Sequence, residues 1–530
     1  MADSKREIER KYEATAETRL PDLSRVAGVF AVAHEGVTEL DAVYYDTEDL
    51  RLAADSLTLR RRTGGSDAGW HLKFPVASGI RDELREPLSD TLPRSFAGLL
   101  RSRVRDRALV PVVRLVSARD VHHLLDAEGA LLAEVSVDRV RAERLTGGGA
   151  TAARTAWTEI EAELADDGDP AFLDAVERRL RKAGIRPSAS PSKLSRALAE
   201  TAPKQQKKQQ QKKQQKEQQK EQQQGKKSPA EGTRRKPTAG DHVLAYIRHQ
   251  AEAIVALDPA VRRDLPDSVH QMRVATRRLR SALRTYRKIL DRDATDPVGA
   301  ELKWLAAELG VGRDLEVLDA RLRARLAELP RTLVLGPVRG RLRIWSAATR
   351  GGSRRRTVAV LDGKRYLALL ESLDALLAAP PLLPAAARAP GRELSRAVLK
   401  EYGRLADRTG HALELPPGHD RDLAVHEARK AAKRVRYAAE AARPALGRPA
   451  KRFATRMKAV QSLLGDHQDS VVARETLRTL AVQAHAAGEP AFTWGLLYGR
   501  EEAIAAARER ELPEVWRRAS RPRLRAALEG

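Results

Sequence analysis

The chain has 530 residues, which is long enough for two or three domains with full hydrophobic cores. It contains no cysteine, so disulfides, thiolate metal sites and cysteine nucleophiles are excluded. The segment Met1–Lys11 is charged rather than apolar, and no stretch approaches about 20 uninterrupted apolar residues, so we expect neither a secretory signal nor a membrane span. These features predict a soluble, cytoplasmic protein.

The net charge of +25 is unevenly distributed along the chain. Residues 1–201 hold 31 basic and 34 acidic side chains, a balance of −3, so the remaining residues carry +28. Such a basic excess attracts nucleic acid, polyphosphate or anionic lipid and does not by itself choose among them.

Charged side chains alternate along three short segments of the first 201 residues. Glu7, Glu9 and Lys11 occupy every second position near the N-terminus. Arg60 and Arg62 alternate in a second segment. A third segment carries Glu159, Glu161 and Glu163 in the same pattern. Because alternate residues of a strand share one face, these segments predict a sheet face that carries both acids and bases.

The rest of this region has short strand-like runs separated by turn residues. Helical stretches are predicted at residues 95–107 and 170–183, and a hairpin is predicted around the turn 126–130. This balance favours an antiparallel α+β domain over residues 1–201. Residues 202–238 are rich in Lys and Gln and almost free of apolar side chains, which predicts a disordered cationic linker.

Residues 239–530 are rich in Ala, Leu and Arg and predict an all-helical domain. The segment that starts at His270 is repeated at His426, and the pair Arg313-Asp314 has a counterpart near Asp469. We therefore expect a duplicated helical bundle with pseudo-two-fold symmetry.

Each copy of the repeat predicts a helix with a basic stripe and an apolar back. Met272, Leu279 and Leu283 lie opposite the first stripe, and the stripes could simply be solvated surfaces. Two matching copies that both begin with histidine instead favour a ligand with regularly spaced negative charge. The stripe residues are His270, Arg273, Arg277, Arg280 and Arg284, then His426, Arg429, Lys430, Lys433 and Arg436.

Nucleic acid fits these stripes less well than a chain of phosphates. Single-strand binding usually needs aromatic stacking platforms, yet aromatic residues make up only 4% of the chain. Base recognition would call for Asn or Gln beside Arg, and the stripes hold little besides Arg, Lys and His.

The repeated His-x-x-Arg-x-x-x-Arg element resembles the CHAD domain, a conserved-histidine α-helical module associated with inorganic polyphosphate binding. The resemblance extends from about Asp241 to Arg521 and includes Arg313-Asp314 and Arg365-Tyr366. It implies that the stripe residues bind inorganic polyphosphate.

The segment from Glu7 to Lys11 resembles the Glu-x-Glu-x-Lys signature of the CYTH family, the triphosphate tunnel metalloenzymes. The resemblance implies an eight-stranded antiparallel β tunnel with a charged lumen. Phosphate binding is then expected from Lys11, Arg60, Arg62, Lys73, Arg119 and Lys193. Binding of Mg²⁺ or Mn²⁺ is expected from Glu7, Glu9, Asp138, Glu159 and Glu161.

Parity along the strands predicts which charged residues lie outside the tunnel. Arg10 and Arg61 have the opposite parity and are expected to face solvent, and Glu163 is also interpreted as a surface residue. Arg114 competes with Arg119 for the lumen position, and His122 and His123 are interpreted as a surface pair of a hairpin and not as metal ligands. The register of Arg81, Glu83, Arg85 and Glu86 is left open.

The leading hypothesis is metal-dependent hydrolysis of inorganic triphosphate or short linear polyphosphate, catalysed through Glu7, Glu9, Lys11, Arg60, Arg62 and Lys73. The helical domain would hold longer polyphosphate, and association with polyphosphate granules is a further expectation. The alternatives are a non-catalytic polyphosphate-binding scaffold and an adenylate cyclase, which the CYTH superfamily also contains. The sequence leaves the oligomeric state open.

Overall fold

The computed structural model describes residues 3–145, 153–202 and 236–529. The chain divides into two compact units, Met1–Glu231 and Gly232–Gly530. The predicted linker, residues 202–238, lies outside the described residues except at its two ends.

The first unit is built on a closed barrel of eight antiparallel strands in the order β1-β5-β4-β3-β2-β6-β7-β8. Strand β1 closes the barrel between β5 and β8, since Glu7 pairs with Arg81 of β5 and Lys11 pairs with Glu161 of β8. The predicted tunnel of eight strands is therefore confirmed. The strands are β1 (Asp3–Ala14), β2 (Ala31–Asp46), β3 (Thr58–Thr63), β4 (Gly69–Ala77), β5 (Ile80–Pro87), β6 (Val110–Leu125), β7 (Leu131–Arg144) and β8 (Arg154–Leu164).

Apolar residues on the outer face of the barrel pack against helices. The helices of this unit are α1 (Arg51–Ala54), α2 (Arg94–Val104), α3 (Ala171–Lys182) and α4 (Lys193–Glu200). Leu173, Val176 and Leu180 of α3 form a buried cluster with Ile160 and Ala162 of β8. Phe96 and Leu100 of α2 cover Leu59 and Leu72 in the same way. The charged alternate positions are thereby left to face the lumen.

Helix α4 closes one end of the barrel interior. Its Leu194 and Ala197 are buried together with Leu115, Val140 and Trp157, which share the lumen-facing parity of the charged residues. Ser192 caps the helix by accepting a hydrogen bond from the backbone N–H of Ser195. Lys193, the first residue of α4, is thus fixed at the boundary between the apolar end and the charged part of the lumen.

The second unit is helical, as predicted. Its helices are Ala239–Arg262, Ser268–Thr285, Arg292–Glu308, Gly310–Ala327, Val338–Asp362, Lys364–Ala378, Pro390–Glu414, His419–Ala486, Phe492–Ala519 and Pro522–Glu529. We call Ser268–Thr285 the first histidine helix and His419–Ala486 the second histidine helix. The second is kinked at Gly447, where φ is 59° and the backbone leaves the helical conformation.

The apolar backs of both histidine helices belong to one hydrophobic core. Met272 and Leu279 of the first helix are fully buried in it, as are Ala428, Val435 and Ala439 of the second. The predicted amphipathic pattern of both copies is therefore confirmed, and the basic residues lie on the remaining faces. No helix within the described ranges is both long and apolar enough to span a membrane.

Candidate functional site

The barrel encloses a cavity of about 300 Å³ whose lining is almost entirely charged or polar. Cations are concentrated on the adjacent strands β5, β4 and β3, which contribute Arg81 and Arg85, Lys73, and Arg60 and Arg62. Carboxylates are concentrated on β7, β8 and β1, which contribute Asp138, Glu159, Glu161, Glu7 and Glu9. The closed strand order places these two groups on different walls of one lumen.

Three buried carboxylates surround the ammonium group of Lys193. Its Nζ lies 2.8 Å from Asp138 Oδ2, 2.9 Å from Glu159 Oε1 and 2.5 Å from Glu161 Oε1. One oxygen from each of the three carboxylates lies within 4.8 Å of the others, a separation that allows all three to share a cation. Lys193 and Arg119 together keep the pKa of Asp138 below its usual range although burial opposes this.

On the cationic wall, Arg60 and Arg62 each have a buried side-chain donor without a hydrogen-bond acceptor, which indicates an anion-binding site. The Nε atom of each guanidinium is buried and has no hydrogen-bond acceptor among the residues described. Arg60 makes only long contacts, at 3.5 Å to the Tyr44 hydroxyl and 3.7 Å to Glu83. Burial, together with the nearby charges of Arg60 and Arg119, lowers the pKa of Arg62 to about 9. An anionic ligand would supply the missing acceptors and relieve this repulsion.

The remaining predicted residues of the lumen are joined by ion pairs. Lys73 Nζ lies 2.5 Å from Glu7, and Lys11 pairs with Glu161 and with Glu9. Arg119 forms a two-pronged contact with Asp138, at 2.8 and 2.7 Å, and also reaches Glu161. The structure thus brings every residue of the predicted metal and phosphate sets into one connected site.

The pKa values of Glu7 and Glu9 are shifted in opposite directions although the two are alternate residues of one strand. Burial and the neighbouring carboxylates of Glu83 and Glu163 raise the pKa of Glu7, with Lys73 opposing. Burial would also raise the pKa of Glu9, but Lys11, Lys73 and Arg81 hold it well below its usual range. Glu9 is therefore a permanent carboxylate, whereas Glu7 is the one better able to exchange a proton.

The alternation along each strand correctly predicted that Arg10 and Arg61 lie outside the barrel. Arg10 pairs with Asp174 and Glu177 of α3 on the outside of the barrel. Arg61 contacts Ser89 and Asp90. Arg114 binds Asp41 away from the lumen, so Arg119 is the lumen residue.

The prediction for Glu163 was wrong. It lines the lumen cavity and pairs with Lys5 at 2.8 Å. The alternation of inward and outward side chains continues to the end of β8, so Glu163 faces inward like Glu159 and Glu161. The sequence pattern of Glu159, Glu161 and Glu163 contained this signal.

Two further buried residues, His71 and Glu83, were not assigned from the sequence. His71 Nδ1 lies 2.9 Å from Glu83 Oε1, and both side chains are fully buried. Burial lowers the pKa of His71 to about 4, so this imidazole is neutral. The odd positions of β5 face inward, which places Arg81, Glu83 and Arg85 inside, whereas Glu86 lies outside and bonds Ser95.

A second cavity, of about 430 Å³, lies between the two histidine helices and is predominantly basic. We call it the basic groove. Its predicted members are Arg277, Arg280 and Arg284 of the first helix and Lys430 and Lys433 of the second. A neighbouring cavity of about 350 Å³ shares Arg280, Arg284 and Lys303 and extends to Arg287 and Arg292. Residues that the sequence did not single out also line the basic groove, namely Lys303, Arg408 and Arg434.

Arg277 and Lys433 occupy equivalent positions of the two repeats, seven residues after each histidine, and both line the basic groove. Burial lowers the pKa of both, and Arg273 and Arg429 lower both further. For Lys433 the pKa falls to about 7. Mutual repulsion of this kind is relieved when an anion binds.

The two repeats hold Arg273 and Arg429 in the same way. Arg273 bonds Asp314 at 2.6 and 2.9 Å, and Arg429 lies 3.5 Å from Asp469. Gly310 and Gly465 lie beneath the respective guanidinium groups. Asp314 belongs to the helix Gly310–Ala327, whereas Asp469 belongs to the second histidine helix itself, beyond its kink, and these two acids compensate the two arginines.

Five of the predicted stripe residues do not line the basic groove. Arg273 and Arg429 flank it, His270 is exposed, and His426 Nδ1 lies 2.6 Å from Gln468. Arg436 packs over the Tyr437 ring and lies 3.6 Å from Glu440.

The lining of the basic groove also contains one aromatic residue, Tyr437, which follows the stripe residue Arg436. Its side chain is buried, and the guanidinium groups of Arg278 and Arg436 lie 5.8 and 4.7 Å from its ring centre. The ring is thus already engaged and does not form an open stacking platform.

Comparisons with known proteins agree with this arrangement. The CYTH domain model matches residues 5–198, and the CHAD domain model matches residues 245–478. Two relatives from Mycobacterium tuberculosis, the uncharacterized proteins MT2285 and Rv2226, are each 37% identical over 524 residues, which is 94% of this chain and 93% of theirs. The chain is a CYTH–CHAD protein.

Similarity to solved structures is lower. PptA from Streptomyces chartreusis is 23% identical with a TM-score of 0.46, covering 53% of the CYTH–CHAD chain and 100% of its own. A putative adenylate cyclase from Bacillus halodurans is 19% identical with a TM-score of 0.25, covering 36% of this chain and 97% of its own.

Family membership gives the two domains of the CYTH–CHAD protein a general chemistry. CYTH domains are found in metal-dependent triphosphate tunnel enzymes, and CHAD domains are associated with polyphosphate. The donor set of Asp138, Glu159 and Glu161 fits a hard divalent cation, because it offers only carboxylate oxygens.

Proposed function

We propose that the barrel hydrolyses inorganic triphosphate or a similarly short linear polyphosphate, and that the basic groove binds longer inorganic polyphosphate. The observation that supports the catalytic part most strongly is the arrangement of the lumen. The buried Nε donors of Arg60 and Arg62 lack acceptors, although Arg62 also pairs with Asp67. On another wall, the carboxylates of Asp138, Glu159 and Glu161 surround the ammonium group of Lys193.

Asp138, Glu159 and Glu161 would hold Mg²⁺ or Mn²⁺, with Glu7 and Glu9 as further carboxylates of the same site. When bound, such an ion neutralises phosphate charge and lowers the pKa of a coordinated water. Lys193 then has to leave the three carboxylates, and its ammonium becomes available to a phosphate oxygen.

The residues of the chain supply binding, orientation and proton transfer. Arg60 and Arg62 donate to phosphate oxygens in a fixed fork, and Lys73, Lys11 and Arg119 add positive charge around the chain of phosphates. The proton of the attacking water is assigned to Glu7, which lines the lumen and whose pKa is raised by burial, so it accepts a proton more readily than Glu9 does. The reaction needs mainly positioning and charge stabilisation, which this lumen offers.

The lumen lining favours a ligand made of phosphate alone over a nucleotide. Tyr44 is the only aromatic side chain on the lining formed by the described residues, and its hydroxyl faces Arg60. An adenine base would want an apolar or aromatic surface, which this polar cavity does not provide.

The basic groove supports binding of long polyphosphate for a related reason. Among the described residues, no ion pair is formed by five cations that line two neighbouring cavities, which share Arg280, Arg284 and Lys303. The five are Arg277, Arg280, Arg284, Lys303 and Lys433. A linear polyanion would meet successive cations along this path.

The experiment measures phosphate release by the full chain from triphosphate, ATP and long-chain polyphosphate with Mg²⁺ and with Mn²⁺. The proposal predicts turnover of triphosphate at least about 100-fold more efficient than turnover of ATP, a difference of about 2.7 kcal/mol. Cyclic AMP formation would favour the cyclase instead. Polyphosphate binding without any turnover would favour a non-catalytic scaffold.

A further inference from the structure

A cluster of two histidines and an aspartate lies on the outside of the barrel, separate from the lumen. His34 of β2 stands directly opposite His122 of β6, and Asp120 is the next residue of β6 on the same face. The two imidazole rings stack with their centres 4.9 Å apart. This cluster has no part in the function proposed above.

Both imidazoles direct the same nitrogen at one carboxylate oxygen. His34 Nε2 lies 2.6 Å from Asp120 Oδ1, and His122 Nε2 lies 3.7 Å from the same atom. All three donor atoms lie within 4.8 Å of one another. Donor atoms on a tetrahedral zinc ion are separated by about 3.3 Å, which follows from metal–ligand bonds of 2.0–2.1 Å. Small side-chain rotations would therefore bring the three atoms to that spacing.

A β-bulge is responsible for the outward position of His34. Thr38 and Leu40 of β2 line the lumen, so strict alternation would turn residue 34 inward. The register shifts between His34 and Gly36, where one extra residue is inserted and Gly36 has a φ of 89°. This insertion reverses the parity and places His34 on the outer face with His122.

The chemistry of this cluster differs from that of the lumen. Two imidazole nitrogens and one carboxylate oxygen suit Zn²⁺ and similar borderline transition metals, whereas the carboxylates of the lumen suit Mg²⁺ or Mn²⁺. His34 is 57% exposed and His122 is 22% exposed, so an ion can reach the cluster from solvent.

We propose that His34, Asp120 and His122 form a binding site for Zn²⁺ that clamps β2 to β6 on the outside of the barrel. Three protein ligands leave a further coordination position for water or for a group from another molecule. The site is independent of the lumen in both position and metal preference.

The test titrates Zn²⁺ into the full chain after removal of metals, in excess Mg²⁺ so that the carboxylates of the lumen are already engaged. We expect the wild-type chain to bind one zinc ion more tightly than the double variant His34→Ala/His122→Ala does, by more than about 10-fold, since even the loss of an indirect partner of a metal ligand costs 10–100-fold. Asp120→Asn should weaken the same binding event. Zinc should also raise the melting temperature of the wild-type chain but not that of the double variant.

His123→Ala is the matched control. His123 is the next residue of β6 but faces the opposite side, where it lies 3.5 Å from Glu134, a residue of the lumen lining. This variant should bind zinc within twofold of wild type. The proposal is overturned if zinc binds equally to wild type and the double variant, if wild type binds no zinc, or if His123→Ala weakens binding as much as the double variant does.

Discussion

The ammonium nitrogen of Lys193 lies 2.8 Å from a carboxylate oxygen of Asp138. The same ammonium contacts Glu159 and Glu161, so it occupies the position that a divalent cation would share with these three carboxylates. A bound metal and Lys193 therefore compete for one place in the lumen.

Lys193→Ala should change the affinities for Mg²⁺ and for triphosphate in opposite directions. Without phosphate, Mg²⁺ should bind about tenfold more tightly to this variant, a difference of about 1.4 kcal/mol, because the ion no longer has to displace an ammonium from the same three carboxylates. Triphosphate should bind more weakly, because a cation has been lost from its site. Calorimetric titrations with Mg²⁺ and with triphosphate check both changes.

Lys182→Ala serves as the control, since Lys182 is exposed at the end of α3. It should leave both affinities unchanged. Weaker Mg²⁺ binding by Lys193→Ala would show that the lysine does not compete with the ion.

The affinity for long-chain polyphosphate should fall as the pH rises from 6 to 9. In the free protein the pKa of Lys433 is lowered to about 7, first by burial and then by Arg277 and Arg429. A bound polyanion favours the charged ammonium and raises this pKa, so binding takes up a proton above pH 7 and none well below it.

Lys433→Arg is the matched variant for this pH dependence, because arginine stays charged throughout this range and is already present at the equivalent position, Arg277. Its affinity should be nearly independent of pH. An identical pH dependence in wild type and Lys433→Arg would assign the titration to another group.

Removing two cations from the basic groove should also change the salt dependence of polyphosphate binding. For Arg277→Ala/Lys433→Ala, the slope of log affinity against log salt concentration should become shallower by about 1.4, because each lost phosphate contact removes about 0.7. Fluorescence anisotropy with labelled long-chain polyphosphate at several salt concentrations measures this slope.

Arg456→Ala/Lys458→Ala controls for total charge. Both residues are exposed on the second histidine helix and neither lines the basic groove. The control should keep the wild-type slope, and equal loss in both double variants would mean that only net charge matters.

The two glycines beneath Arg273 and Arg429 should respond differently to alanine. A Cβ at Gly310 would meet the Arg273 guanidinium at 2.9 Å, whereas at Gly465 the nearest atoms of Arg429 are 3.6 Å away. Gly465→Ala should therefore gain up to about 1 kcal/mol in the free energy of unfolding from helix propensity. Gly310→Ala should gain less, because Arg273 must move away from Asp314. Denaturant unfolding of both variants tests the difference, and an equal gain would show that Arg273 adapts without cost.

The barrel and its charged interior were predictable because strand alternation is a short-range property. Glu7, Glu9 and Lys11 face inward with Glu159 and Glu161, as their positions indicated. Arg10 and Arg61 face outward for the same reason. In β5 the alternation did not show which residues face inward, because nothing in the sequence fixed where the strand begins. The buried pair of Glu83 and His71 was therefore not predicted.

Long-range packing accounts for what the helical repeats did not reveal. Helical periodicity placed Arg277 and Lys433 on basic faces, but it could not show that these two faces enclose one cavity. Lys303 and Arg408 come from segments without a repeat signal and reach the basic groove only through the fold, whereas Arg434 lies within the second repeat but outside its predicted stripe. In the same way, periodicity could not show that Arg436 contacts the Tyr437 ring and Glu440 instead of lining the groove, although Arg280 at the equivalent position of the first repeat does line it.

The central claim is that the lumen of the barrel binds and hydrolyses triphosphate, and the comparison of Arg60→Ala with Arg61→Ala tests it most directly. The two arginines are adjacent on β3, but Arg60 lines the cavity with a buried donor that lacks an acceptor, whereas Arg61 contacts Ser89 and Asp90 outside. In Mg²⁺ or Mn²⁺, kcat/KM for phosphate release from triphosphate should fall by about 10²–10³ in Arg60→Ala, the usual loss for a donor that stabilises developing charge. It should stay within twofold of wild type in Arg61→Ala. Equal rates in the two variants, or no phosphate release by the wild-type chain, would contradict the account.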